Sequence, residues 1–324
     1  MRFPPKICKS CTQLRQPSKR RANTSGEGCQ KDDWAAHKLE CADLVVANAA
    51  LARFRASPPD ATVLDALQRN EAGYFHQGKA RAALRLDDEI LALASRLHGE
   101  QHAAVAGVLG VRAQILIKLG KLDDALAAVS KQRAIFQAAR GPDDPLLFSP
   151  LTVAASIHAS REDWTNALEC QREVIRVLGT LADAKPANVA VAHNNLAATY
   201  LRLKQYDDAF ASHTEALSAL KRSEPTSDGG LMASTLLGMG TVQSMQGKLD
   251  DAMQSYSAAL PLCVARYGET HAETATAMHC VASVLLKQGR AKEAKAMGVR
   301  AARSMASSVG AEHPETVRIR KAWM

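Results

Sequence analysis

Five residues in the first 41 positions have the types and spacing of metal ligands: Cys8, Cys11, Cys29, His37 and Cys41. The other three cysteines, Cys170, Cys263 and Cys280, are spread over the remaining 283 positions and fall inside apolar helical patterns. There a free thiol behaves as a small hydrophobe. Cysteines clustered beside a histidine, in a sequence that opens without a secretory signal, point to a metal before a disulfide. Cys8 and Cys11 form a Cys-x-x-Cys knuckle, and His37 and Cys41 stand four apart, on one face if the segment is helical. Soft and borderline N and S donors of this kind hold zinc in a tetrahedron of four.

The run Cys29-Gln30, Asp33-Trp34, His37 and Cys41 resembles the closing half of a MYND zinc finger. That family carries seven cysteines and one histidine in two interleaved sites, whereas this segment offers five ligands. Ser25 stands where a cysteine is expected, and the central Cys-x-x-Cys is deleted after Arg20. Five ligands fill one tetrahedron and not two. The set is either Cys8, Cys11, His37 and Cys41, or Cys8, Cys11 and Cys29 with one of the last pair, so at most one zinc is expected, and none if the segment is a remnant. Both arrangements leave no position for water, so a structural ion is expected. Residues 1–43 are read as this degenerate finger, and 44–60 as an apolar helix and linker broken at Pro58-Pro59.

No other constellation offers chemistry. There is no Gly-rich phosphate loop, no nucleophile elbow and no Asn-His-Ser-type cofactor motif of the methyltransferases that accompany some MYND fingers. The reading is therefore not an enzyme and expects no small-molecule substrate. No stretch approaches the ~20 apolar residues that cross a bilayer, so no membrane is expected, and the location is read as intracellular, cytoplasmic rather than nuclear.

The chain has 324 residues, net charge +8, 47% hydrophobic residues and only 4% aromatic ones. Much Ala and Leu with little aromatic bulk indicates close-packed helices and not a sandwich or barrel. Residues 1–41 carry nine Lys/Arg against four Asp/Glu, and 290–324 carry eight against three. The 248 residues between them sum to −2, so the basic excess belongs to the two ends. A nucleic-acid binder shows a basic stripe with interleaved aromatics along its body; such a partner is disfavoured, and Lys19-Arg20-Arg21 reads as a solvated loop before a nuclear-targeting signal.

What positions everything after residue 60 is a repeat. Gly120-Lys121-Leu122-Asp123-Asp124-Ala125 recurs, in variants, with closing alanines at Ala83, Ala125, Ala167, Ala209, Ala252 and Ala294, spaced 42, 42, 42, 43 and 42. Twelve residues earlier stands another small residue, at Ala113, Ala155, Ala197, Gly240 and Ala282, with Glu71 as the exception. Ala216, Ala259 and Ala301 add a third small position in the last three units. Small residues at fixed places let two helices approach closely; the Gly ends one helix, and the acids suit the first turn of the next.

These units resemble tetratricopeptide repeats, and the 42-residue period with linkers such as Gly268-Glu269-Thr270-His271 resembles the kinesin light chain type. The resemblance implies an all-α superhelical solenoid of six helix pairs over 61–316, with 317–324 as an incomplete capping helix open to self-association. It implies a groove lined by first helices that binds a peptide or protein partner. The residues placed there are Gln114, Thr152, Ser156, Asn194, Asn195, Arg202, Thr241, Ser244, His279 and Ser283, a small and polar set. Only Asn195 keeps the family's recurring Asn; the equivalent positions hold Arg69, Val111, Val153, Gly238 and Cys280. Function is read as a non-catalytic adaptor, the groove holding one partner and the finger a second. The alternatives are an accessory protein associated with nucleic acid or chromatin, or a remnant of a MYND methyltransferase architecture without its catalytic domain.

Overall fold

The computed structural model describes residues 46–52, 60–222 and 229–324, and among these every regular element is helical. The five finger residues Cys8, Cys11, Cys29, His37 and Cys41 lie outside the described residues. Of the helix expected over 44–60, residues 46–52 are described and are helical.

The chain divides between Pro150 and Leu151 into two compact units. The first contains α1 (Ala61–His76), α2 (Ala80–His98), α3 (Ala103–Lys118), α4 (Leu122–Arg140) and a 3-10 turn at Pro145–Leu147. α5 (Phe148–Ser160) straddles the division. The second unit continues with α6 (Trp164–Gly179), α7 (Pro186–Arg202), α8 (Tyr206–Lys221), α9 (Gly229–Met245), α10 (Leu249–Tyr267), α11 (Ala272–Lys287), α12 (Ala291–Val309) and α13 (Pro314–Trp323).

Each repeat motif falls at a first-to-second helix junction, and its closing alanine is packed without remainder. Ala83, Ala125, Ala167, Ala209, Ala252 and Ala294 are all 0% exposed. The small residues twelve positions earlier are buried too; at Gly240 even a Cβ would collide with the Tyr256 ring. Acids occupy the first turns of α4, α8, α10 and α12, where they face the positive end of the helix dipole.

The junction turn needs a left-handed residue at its opening position. Gly78, Gly120, Gly247 and Gly289 supply it with φ of 72–80°, while Glu162 and Lys204 adopt the same conformation at 58° and 59°. Glycine also governs how long the second helices run. Those closed by Gly99, Gly141, Gly268 and Gly310, all at positive φ, are 19 residues long; α6 and α8 lack such a glycine and stop after 16. Three residues past three of these glycines stands a histidine that caps the next first helix. Nδ1 of His102, His271 and His313 accepts the backbone N–H two positions on, at 3.1, 3.2 and 3.3 Å. Asp144 does the same for the 3-10 turn.

Residues 317–323 of the expected capping segment lie within a longer helix, α13. α13 begins at Pro314, three positions before the expected capping segment, with Thr316, Ile319 and Trp323 buried. Thr316 Oγ1 donates to the Gly310 carbonyl at 2.8 Å, a bond repeated one unit earlier by Thr274 on Gly268 at 2.7 Å. This linker bond fixes the helix start.

Candidate functional site

Within the second unit, first helices pack on one another as well as on their partners: α7 lies against α9 and α9 against α11, and no comparable contact joins α8 to α10 or α10 to α12. Helices that approach closely on one side and separate on the other define the inside of a curve, so the first helices line its inner face. Successive turns are tied by a repeated bond: Gln246 Nε2 donates to Asp207 at 2.8 Å, and Gln288 Nε2 to Asp250 at 2.8 Å.

The sequence-assigned groove residues separate into two groups. Ser156, Asn195 and Arg202 are exposed on α5 and α7, with the Arg202 guanidinium 5.7 Å from the Trp164 ring centroid. Asn194, Thr241, His279 and Ser283 are engaged by neighbouring helices or along their own helix. Asn194 donates to Thr235 Oγ1 at 2.8 Å and lies 2.9 Å from His213 Nδ1, joining α7, α8 and α9 in one buried polar network. Thr241 meets the Tyr256 hydroxyl at 3.1 Å, Ser283 bonds back to the His279 carbonyl, and His279 itself is held by Trp323. Ser244 accepts from Lys287 Nζ at 2.9 Å. Thr152 is half-buried on α5, and Gln114 is exposed on α3 in the first unit.

Sequence reasoning missed the exposed apolar side chains of these first helices. Met245 is 60% exposed, Leu286 52% and Val191 41%. Met245 and Lys287 stand seven residues before Ala252 and Ala294, as Arg202 does before Ala209. Counting from the motif alanines would therefore have found them. The charge on this face is one-sided: α5, α7 and α9 contain no Asp or Glu, and α11 contains only Glu273 in its first turn.

The first unit holds a different arrangement. Glu71, at the position small in the other repeats, is buried against Asp87, whose other partner is Arg112 Nη1 at 2.6 Å; Arg112 Nη2 reaches Asp88 at 2.8 Å. Burial pushes both carboxyls up, and Asp87 pushes Glu71 further while Arg112 holds Asp87 down. This environment favours the protonated form of Glu71 above the ordinary carboxyl range. Beside this cluster lie two adjoining depressions of about 430 and 510 Å³ that share Leu84, Asp88 and Lys121. Glu71 and Asp87, at 3% and 0% exposure, are shut off from them. Among the described residues no group of three or more His, Cys, Asp or Glu is placed to hold a metal ion. No described helix is long and apolar enough to cross a membrane.

Known proteins share these features in part. The tetratricopeptide repeat family model matches residues 188–263 and 231–307. A clustered mitochondria protein homolog from Candida albicans is 23% identical over 163 residues, which are half of this chain and 12% of that protein; the chain thus spans a small part of that relative. Among solved structures, BtubC (BKLC) from P. vanneervenii superposes with a TM-score of 0.59 at 19% identity, over 71% of this chain and 92% of that one. A Podosopora anserina kinesin light chain with nearly identical TPR-like repeats gives 0.54 at 13% identity, over 62% and 94%. At such identities the likeness is one of fold, and it agrees with the helix pairs and buried alanines. Residues 188–307 match the tetratricopeptide repeat family model, and the described residues, all of whose regular elements are helical, are similar in fold to these two structures.

Proposed function

We propose that the protein is a non-catalytic scaffold that holds a polypeptide segment on the inner face of its second unit. The observation that carries this reading is the composition of that face: apolar Met245, Leu286 and Val191 exposed beside Arg202 and Lys287, on first helices almost free of carboxylates. Exposed apolar side chains next to cations suit a segment whose apolar residues alternate with Asp or Glu. Rigid helices present these groups without the ordering cost a loop would incur. Residues 1–43 are proposed as a second contact, by the resemblance of their Cys/His pattern.

The test is binding of the full chain to an array of peptides varied in charge and apolar content. Peptides bearing both apolar and acidic residues are expected to be retained, and Arg202→Glu with Met245→Glu to abolish retention while leaving the circular dichroism unchanged. Equal retention by the double variant contradicts the reading.

A further inference from the structure

Trp323 closes α13 onto the preceding helix pair through a single polar contact. Its indole N–H donates to His279 Nδ1 at 2.9 Å, with the two rings edge to face at 5.9 Å. The indole also covers Gly298 of α12 so closely that a Cβ there would collide with it. An imidazole nitrogen that accepts a hydrogen bond bears no proton, so the ring's one proton sits on Nε2. Nε2 in turn faces Arg318 Nη1 at 3.3 Å, donor against donor. The bond to Trp323 thus exists only while His279 is neutral.

Two charged groups act on this ring, both from α13: Arg318, which opposes protonation, and Glu315, which favours it. Glu315 is already gripped by Arg318 at 2.9 and 2.8 Å. Burial first, then Arg318, holds the imidazole below the usual histidine range.

We propose that His279 is a proton-operated latch for α13. Protonation turns Nδ1 into a donor facing the Trp323 donor and sets a second positive charge against Arg318. Both changes oppose docking of α13, and both are reversed when the proton leaves. Release begins at the Trp323 end, because Ile319 and the Thr316–Gly310 bond anchor the helix start. It uncovers Gly298, Ala301, Ala302 and Met305, the small and apolar strip of α12 that Trp323 and Ile319 share.

The experiment follows the Trp323 indole N–H of the full chain by nuclear magnetic resonance between pH 7.5 and 4.5, with Trp323→Phe identifying its signal among those of Trp34, Trp164 and Trp323. The signal is expected to move toward that of free indole on acidification, with hydrogen exchange rising at least about tenfold, and to return on neutralisation. His279→Gln, which keeps an acceptor that does not titrate in this range, is expected to flatten the response. A second variant, Arg318→Ala, removes the opposing cation and is expected to raise the midpoint. A signal that stays fixed while the protein remains folded overturns the latch, as does an unchanged midpoint in Arg318→Ala or a wild-type response in His279→Gln.

Discussion

His213 Nδ1 lies 2.9 Å from Asn194 Oδ1, across the junction of α7 and α8, while Asn194 Nδ2 donates to Thr235 of α9. A ring buried this deeply fits only because residue 238 is glycine; a Cβ there would collide with it. Burial pushes the His213 pKa down to about 4. The folded state therefore holds the ring neutral under conditions in which an unfolded chain, titrating near ~6.5, takes up a proton.

The sign of the resulting pH dependence is fixed. The contribution of His213 is complete above pH ~6.5, declines as the pH falls toward about 4, and is then fully lost, by about 3 kcal/mol. Denaturant unfolding of the full chain at pH 7.5 and 4.5 is expected to show the loss, and His213→Leu to remove that part of the slope. A slope unchanged in the variant would mean that the ring is not buried as described.

The first unit is expected to respond in the opposite direction. Burial, then Asp87, raises the Glu71 pKa to about 8, so its unfolded form ionises first and the stability it contributes is lost as the pH rises from ~4.5 to about 8. Glu71→Gln keeps a donor toward Asp87 without a proton to lose. It is expected to match the wild type near pH ~4, where the unfolded carboxyl is also protonated, and to exceed it in thermal stability near pH ~8; a variant less stable at both refutes the proton assignment.

Two junction turns carry strain that sequence can relieve. Glu162 and Lys204 stand where four other turns have glycine, at φ of 58° and 59°. A non-glycine residue there costs about 1–2 kcal/mol, whereas the added freedom of glycine in the unfolded chain offsets about 0.4–1 kcal/mol. The net expectation for Glu162→Gly or Lys204→Gly is about 0.5–1 kcal/mol of stabilisation, read as a higher melting temperature. Gly120→Ala and Gly247→Ala are expected to lower it.

The repeat architecture was legible because it rests on local periodicity: the motif alanines, the glycine stops and the first-turn acids all recur at a fixed spacing. The groove was less so. Asn194 and Thr241 carry the residue types of a polar surface, but their partners His213, Thr235 and Tyr256 lie 19, 41 and 15 positions away, and only packing decides that they turn inward. Glu71 was visible as an exception to the small-residue column, yet nothing in the column names Asp87 and Arg112 as its partners. Met245 and Lys287 were legible in register with Arg202, and Met245 breaks the polar pattern by its type.

The metal reading is tested on the full chain by elemental analysis. With five candidate ligands for one tetrahedron, at most one zinc per molecule is expected, lost in Cys11→Ser and in Cys41→Ser. Two zincs would refute the ligand count.

The scaffold account is tested most directly by site-specific photo-crosslinking of the full chain in cells, with the photoreactive residue placed in turn at Met245 and Leu286 on the first helices and at Ala258, exposed on α10. The account predicts discrete polypeptide adducts from positions 245 and 286 that Arg202→Glu weakens, and none from 258. Adducts from 258 alone, or equal adducts from all three, would contradict it.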